Sequence, residues 1–137
     1  MASKPVTMGT RIEELHEAQA KNRAGGGDKR IEKQHSQGKL TARERVNTLL
    51  DEGSFNEVGL FRKNRTTVFG MDKADMPAEG VVTGTGTIAG RPVHIASQDF
   101  TVVGGSAGEN HNKKVVEMMN GALANGTPFI FFNDSGG

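Results

Sequence analysis

An unbroken apolar run, Phe129, Ile130, Phe131 and Phe132, entered through Pro128 and stopped by Asn133, Asp134, Ser135, Gly136 and Gly137, constrains this chain more than any other stretch. Four consecutive large apolar residues do not alternate. The pattern fits a strand covered on both faces, although a run this short is also compatible with a helix. Small and polar residues at the carboxyl end of such a strand are where open α/β sheets place ligands. The residues just upstream prepare for such a strand. A polar, Gly-rich loop (Gln98, Asp99, Phe100, Thr101, Gly104, Gly105, Ser106) leads into a helix over about 108–125, with Val115, Met118, Met119, Ala122 and Leu123 at helical spacing. Gly126 is its stop signal and Pro128 opens the strand.

The remaining elements follow in order. Residues 1–8 read as a loose terminus. Thr10 with Glu13 makes a capping box for a short polar helix that carries Ile12 and Leu15, and 24–27 end it. Asp28 caps a second helix over 29–36, so polar that it needs a partner to lie on, in another domain or subunit. Thr41 with Glu44 caps a third, whose apolar face is Val46, Leu49 and Leu50. Residues 54–61 are weakly strand-like, and Thr67, Val68 and Phe69 form a short strand before a loop over 70–80. The clearest local signal is a hairpin: Val81–Ile88, a turn at Ala89 and Gly90, and a return strand over 93–97. This gives an amino-terminal helical extension over 1–53 and an α/β domain beginning at 54.

Composition excludes several function classes. The net charge of +1 gives no argument for nucleic acid. The absence of cysteine removes disulfide and thiolate chemistry and points to a reducing, cytoplasmic compartment. No apolar run approaches the roughly 18–20 residues of a membrane span. The four histidines lack ligand spacing, so no metal site is expected. His16 and His35 sit on polar helices, and His94 on a strand face.

Gly84, Gly86 and Ala89 match the loose dinucleotide fingerprint, but a strand follows where a helix is required, so hairpin glycines account for them better. Asp134, Ser135, Gly136 and Gly137 resemble a protease nucleophile loop, yet neither His94 nor His111 has the context of a general base. Two readings of Gly136 and Gly137 stand side by side: amides open to a ligand or a developing oxyanion, and a plain strand-to-helix turn. Gly104, Gly105 and Ser106 likewise either open a helix amino end to a phosphate or acyl carbonyl, or form a turn that Ser106 caps with Glu109. Arg62, Lys63 and Arg65 either bind phosphate or form a solvated strand end. Lys39, Arg43 and Arg45 read as helix-surface salt bridges, and Met118 and Met119 as core.

Several motifs occur together in one order. They are the run from Glu32 to Arg45, then 69–73, then 80–84, then 98–102 with Gly104, Gly105 and Ser106, and finally 133–137. In these the chain resembles the amino-terminal segment of biotin-dependent acyl-CoA carboxyltransferase subunits of the methylmalonyl-CoA and propionyl-CoA type. The resemblance implies a crotonase-like β-β-α spiral, incomplete here and preceded by the helices. It implies carboxyl transfer between biotin, borne on a separate biotin carboxyl carrier protein or domain, and propionyl-CoA or methylmalonyl-CoA. A homohexamer is implied, with no metal and no nucleophilic side chain; paired backbone amides steady the thioester enolate. Gly136 and Gly137 carry over as the approach to that oxyanion hole. Gly104, Gly105 and Ser106 carry over as part of the CoA-facing wall, and Arg62, Lys63 and Arg65 as contacts for CoA phosphates. Family chains are several times longer, so the chain reads as the leading part of such a subunit, inactive alone. A non-catalytic CoA-binding or assembly module complementing a separate remainder is the rival expectation.

Overall fold

The fold was obtained as a computed structural model and is described for residues 6–137. Three helices precede a four-stranded sheet: α1 (Met8–Arg23), α2 (Asp28–Ser36) and α3 (Ala42–Leu49). The sheet comprises β1 (Asn56–Glu57), β2 (Val81–Ile88), β3 (Arg91–Gln98) and β4 (Phe129–Phe132), with α4 (Glu109–Asn125) between β3 and β4. The strand order is β1-β2-β3-β4; the first two pairings are antiparallel and β3–β4 is parallel. A parallel neighbour needs a crossover, and α4 supplies it.

The apolar run is therefore a strand, and its period of two explains how it can be apolar throughout. Ile130 and Phe132 pack with Ala42, Val46, Leu50, Val82, Val93 and Ile95 on the α3 side. Phe129 and Phe131 pack with Val81, Ala96 and Val115 on the α4 side. Both faces are in contact, but all four residues are only half-buried, short of the full cover the run predicts.

The hairpin forms as its pattern predicts, Val81 opposite Gln98 through Ile88 opposite Arg91. Ala89 (φ 49°) and Gly90 (φ 76°) are both left-handed, the two-residue geometry that suits the twist of antiparallel strands. Asp51 braces this turn, accepting from the backbone N–H of Ala89 and Gly90 and from Thr87 Oγ1.

Other expectations shift. The first helix is capped by Thr7 with Thr10 rather than Thr10 with Glu13, so it begins three residues earlier; residues 1–5 of the expected loose terminus lie outside the described residues. α2 begins at Asp28 with Gly27 as its cap and no side-chain capping bond, so Asp28 does not cap it. The Thr41–Glu44 capping box forms as expected. The strand-like stretch 54–61 shrinks to β1, and the strand expected at 67–69 is instead the start of a 3-10 turn over Val68–Lys73, with Phe69 at φ 56°. A second such turn, Pro77–Gly80, leads into β2. On α4 the buried face is Asn110, His111, Lys114, Val115, Met118 and Ala122. Met119 and Leu123 point outward, 48% and 84% exposed, because their helical phase falls to the side of the buried stripe.

Candidate functional site

The two Gly-rich loops that flank the apolar strand meet. The Gly136 N–H donates to the Gly104 carbonyl at 2.9 Å. Gly105 lies against the Asp134 carbonyl so closely that a Cβ there would stand 2.1 Å from that oxygen, and its φ of +67° also favours glycine. Gly104, Gly105, Gly136 and Gly137 are thus brought to one place, at the carboxyl ends of β3 and β4 where a parallel pair opens. The Gly137 N–H donates to Ser135 Oγ, so both glycine amides are engaged within the chain. Ser106 does not cap α4. Its N–H closes the 3-10 turn over Val103–Gly105, and the α4 cap is Gly108, without a side-chain bond.

Asp134 anchors the second loop. Its carboxylate receives Lys39 Nζ at 2.6 Å, Arg45 at 2.8 Å and Gln34 Nε2 at 2.9 Å. Burial pushes this carboxyl up, but the bonds from Lys39, Gln34 and Arg45 outweigh it and hold the group below the usual aspartate value. The Asp134 N–H in turn donates to Gln98 Oε1 at 3.0 Å. Lys39 and Arg45 are therefore not helix-surface pairs. They reach across to the strand end, and Arg43 likewise makes a two-pronged bond to Glu57.

Gln98 continues the network inward. Its Nε2 lies 3.4 Å from His111 Nε2, and His111 Nδ1 lies 2.8 Å from the Glu79 carbonyl. A carbonyl can only accept, so Nδ1 carries the proton and Nε2 accepts from Gln98, the neutral tautomer. Burial lowers the His111 pKa, consistent with that form. Beside it, Lys114 is 1% exposed and donates to the carbonyls of Ala78 and Val81.

A cleft of about 270 Å³ opens beside the joined loops, lined by Arg30, Lys33, Gln34, Gln37, Phe100, Thr101, Val103 and Gly104. Its α2 wall explains why that helix has so little apolar surface: Arg30 bonds the Thr101 carbonyl, and Lys39, just beyond the helix, lies 4.4 Å above the Phe100 ring. Gln34 is the buried residue of α2, and most of the helix is left exposed by the rest of this chain. Arg62, Lys63 and Arg65 do not line this cleft. Arg62 pairs with Glu117, Arg65 lies near Glu109, and the Lys63 carbonyl accepts from Asn110 at the start of α4. Ser135 Oγ bonds the Gly137 carbonyl and N–H, and among the described residues no histidine pairs with it.

Sequence reasoning missed Gln34, Asp134, His111 and Lys114 as members of one network. A signal existed for two of them. His111 and Lys114 fall at the same helical phase as Val115, Met118 and Ala122, so polar groups were written into a core-facing stripe.

Mixed strands crossed by a helix, with glycine loops gathered at the strand ends, define a crotonase-like fold of the acyl-CoA carboxylase type, and the structural neighbours carry the same fold. The carboxyl transferase domain family matches residues 33–137, and the chain belongs to that family. It is similar to the methylmalonyl-CoA carboxyltransferase 12S subunit of Propionibacterium freudenreichii subsp. shermanii, 69% identical over 96% of this chain and 25% of that protein. It is also similar to the propionyl-CoA carboxylase beta chain of Roseobacter denitrificans, 55% identical over 92% of this chain and 25% of that one. Among solved structures, a transcarboxylase 12S crystal structure, described as a hexamer with methylmalonyl-coenzyme A and methylmalonic acid bound, superimposes with a TM-score of 0.95. The two are 67% identical, over 98% of this chain and 26% of that one. The chain thus spans about a quarter of the length of the relatives it matches.

Proposed function

We propose that this chain supplies part of a carboxyltransferase site that moves a carboxyl group between biotin and propionyl-CoA or methylmalonyl-CoA. The observation that carries the reading is the junction of the Gly104–Gly105 loop with the 133–137 loop beside a cleft walled by Arg30 and Lys33. A CoA thioester joins an anionic phosphate end to a carbonyl whose oxygen gains charge as the α-carbon loses its proton to form the enolate that then takes up the carboxyl group. Cations at one end and backbone N–H groups at the other suit those two needs. Arg30 and Lys33 would meet phosphate. Gly104 and Gly105 form the wall along which the acyl chain runs, and Ser106 extends it. Gly136 and Gly137 form the approach to the oxyanion hole. Arg62, Lys63 and Arg65 remain a second location for phosphate, weakened by the carboxylates of Glu117 and Glu109 beside Arg62 and Arg65. Biotin, presented by a separate biotin carboxyl carrier protein or domain, supplies the labile carboxyl group. No described residue of this chain is assigned to hold it.

The amides of Gly136 and Gly137 are engaged internally, so residues 1–137 alone do not offer a complete pair of donors to a thioester oxygen. We propose that the 137 residues by themselves do not turn over, and that the site works within a homo-oligomer. Among the described residues, no helix is long and apolar enough to cross a membrane. The test is carboxyl transfer from carboxybiotin to propionyl-CoA, assayed with the full-length gene product carrying this sequence and with residues 1–137. Activity in the first and none in the second is expected. Turnover by the second contradicts the claim that further donors are required, and absence of transfer in the first contradicts the reaction.

A further inference from the structure

The carboxylate at the strand end has more partners than capping a loop requires. Asp134 takes two cations and an amide side chain, and its side chain is 10% exposed. Lys39 and Gln34 lie 95 and 100 residues earlier in the chain. On its other side the same residue is held by its backbone. The N–H donates to Gln98, the carbonyl packs on Gly105, and two residues on Gly136 bonds Gly104. A carboxylate gripped from three directions is fixed in rotation as well as in place. As a stability device this arrangement is poor, because desolvating the charges consumes most of what their attraction returns. Its product is directional constraint, and a loop ordered beforehand spends no binding energy on being ordered when substrate arrives.

We propose that Lys39 and Arg45 are positioning residues for carboxyl transfer, holding the 133–137 loop through Asp134 in the geometry the reaction uses. α2 and α3, through Gln34 and Arg45, are then part of the site's frame rather than an appendage. The catalytic half of this proposal rests on the reading under Proposed function; the clamp itself does not.

The test pairs two readouts on Lys39→Met, Arg45→Met and, as the charge-only change at unaltered size, Asp134→Asn. Amide exchange at 134–137 in the full-length gene product reads the clamp directly. Carboxyl transfer to propionyl-CoA reads its use. The expected result is exchange faster by about tenfold or more, with kcat lowered by a similar factor and KM within about twofold, because the loop's geometry and not the binding of the phosphate end is disturbed. Lys39→Arg should restore both. Exchange left unchanged overturns the clamp. Faster exchange with kcat intact overturns the positioning role, as does a rise in KM alone. If the unmodified protein performs no carboxyl transfer, the reaction reading fails and takes the positioning role with it, while faster exchange in the variants still upholds the clamp.

Discussion

The carbonyl of Asp134 occupies the space where Gly105 would carry a side chain, 2.1 Å from the position of a Cβ. Backbone meets backbone there, so no side-chain adjustment can relieve a larger residue. Gly105→Ala should destabilise the fold by about 2–4 kcal/mol, adding a left-handed backbone cost to the collision. It should also release the 133–137 loop. Chemical denaturation checks the first effect and amide exchange at Gly136 the second.

Lys114 gives the fold an alkaline signature. Burial lowers its pKa from 10.5 to about 8. Between those values the unfolded chain still binds a proton that the folded chain has released. Stability from this group therefore rises with pH across the window, by about 3 kcal/mol in all, and is lost as pH falls toward 8. Lys114→Met should remove that rise. The measurement is the difference in unfolding free energy between wild type and variant from pH 8 to 10.5, which cancels the other lysines.

His111 acts at the acid end. Burial holds its pKa below 6.5, the Glu79 carbonyl bond opposes this, and Lys114 adds to it. As pH falls below that ordinary value the unfolded chain takes up the proton first, so this group's contribution is lost on acidification. A protonated ring would also leave Gln98 Nε2 facing a donor and loosen its hold on the Asp134 N–H. Glu79, whose carboxyl is pushed up by burial, offsets part of the loss at lower pH. His111→Gln should lose less stability between pH 7 and 5.5 than wild type, as read by denaturant titration.

The hairpin turn can be improved. Ala89 sits at φ 49°, a conformation that alanine adopts at a cost and asparagine tolerates. Ala89→Asn should stabilise the protein by about 0.5–1 kcal/mol, visible as a raised denaturation midpoint, with the bond from its N–H to Asp51 kept.

What was legible in the sequence was local. Thr41 with Glu44 and the β-branched run around Gly90 each specify their element within a few residues, and each forms; the apolar run ahead of Asn133 left strand and helix open, and it forms the strand. Phe69 and Ala78 were illegible because they adopt left-handed backbone that their side chains disfavour, set by tertiary context. The glycine loops were recognised singly; that Gly136 bonds Gly104 depends on a parallel pairing across a crossover, which no local pattern encodes. Lys39 and Arg45 look like ordinary helix charges, and only the fold brings them to Asp134. The family motifs single out the loops at 104–106 and 133–137 without revealing this frame.

The central claim is that an acyl-CoA meets this chain along the two joined loops. Its most direct test is amide hydrogen exchange of the full-length gene product with and without propionyl-CoA. The account predicts slowed exchange at 100–106 and 134–137 and at the α2 residues facing the cleft. Slowing confined to 62–65, or none anywhere in this chain, would contradict it.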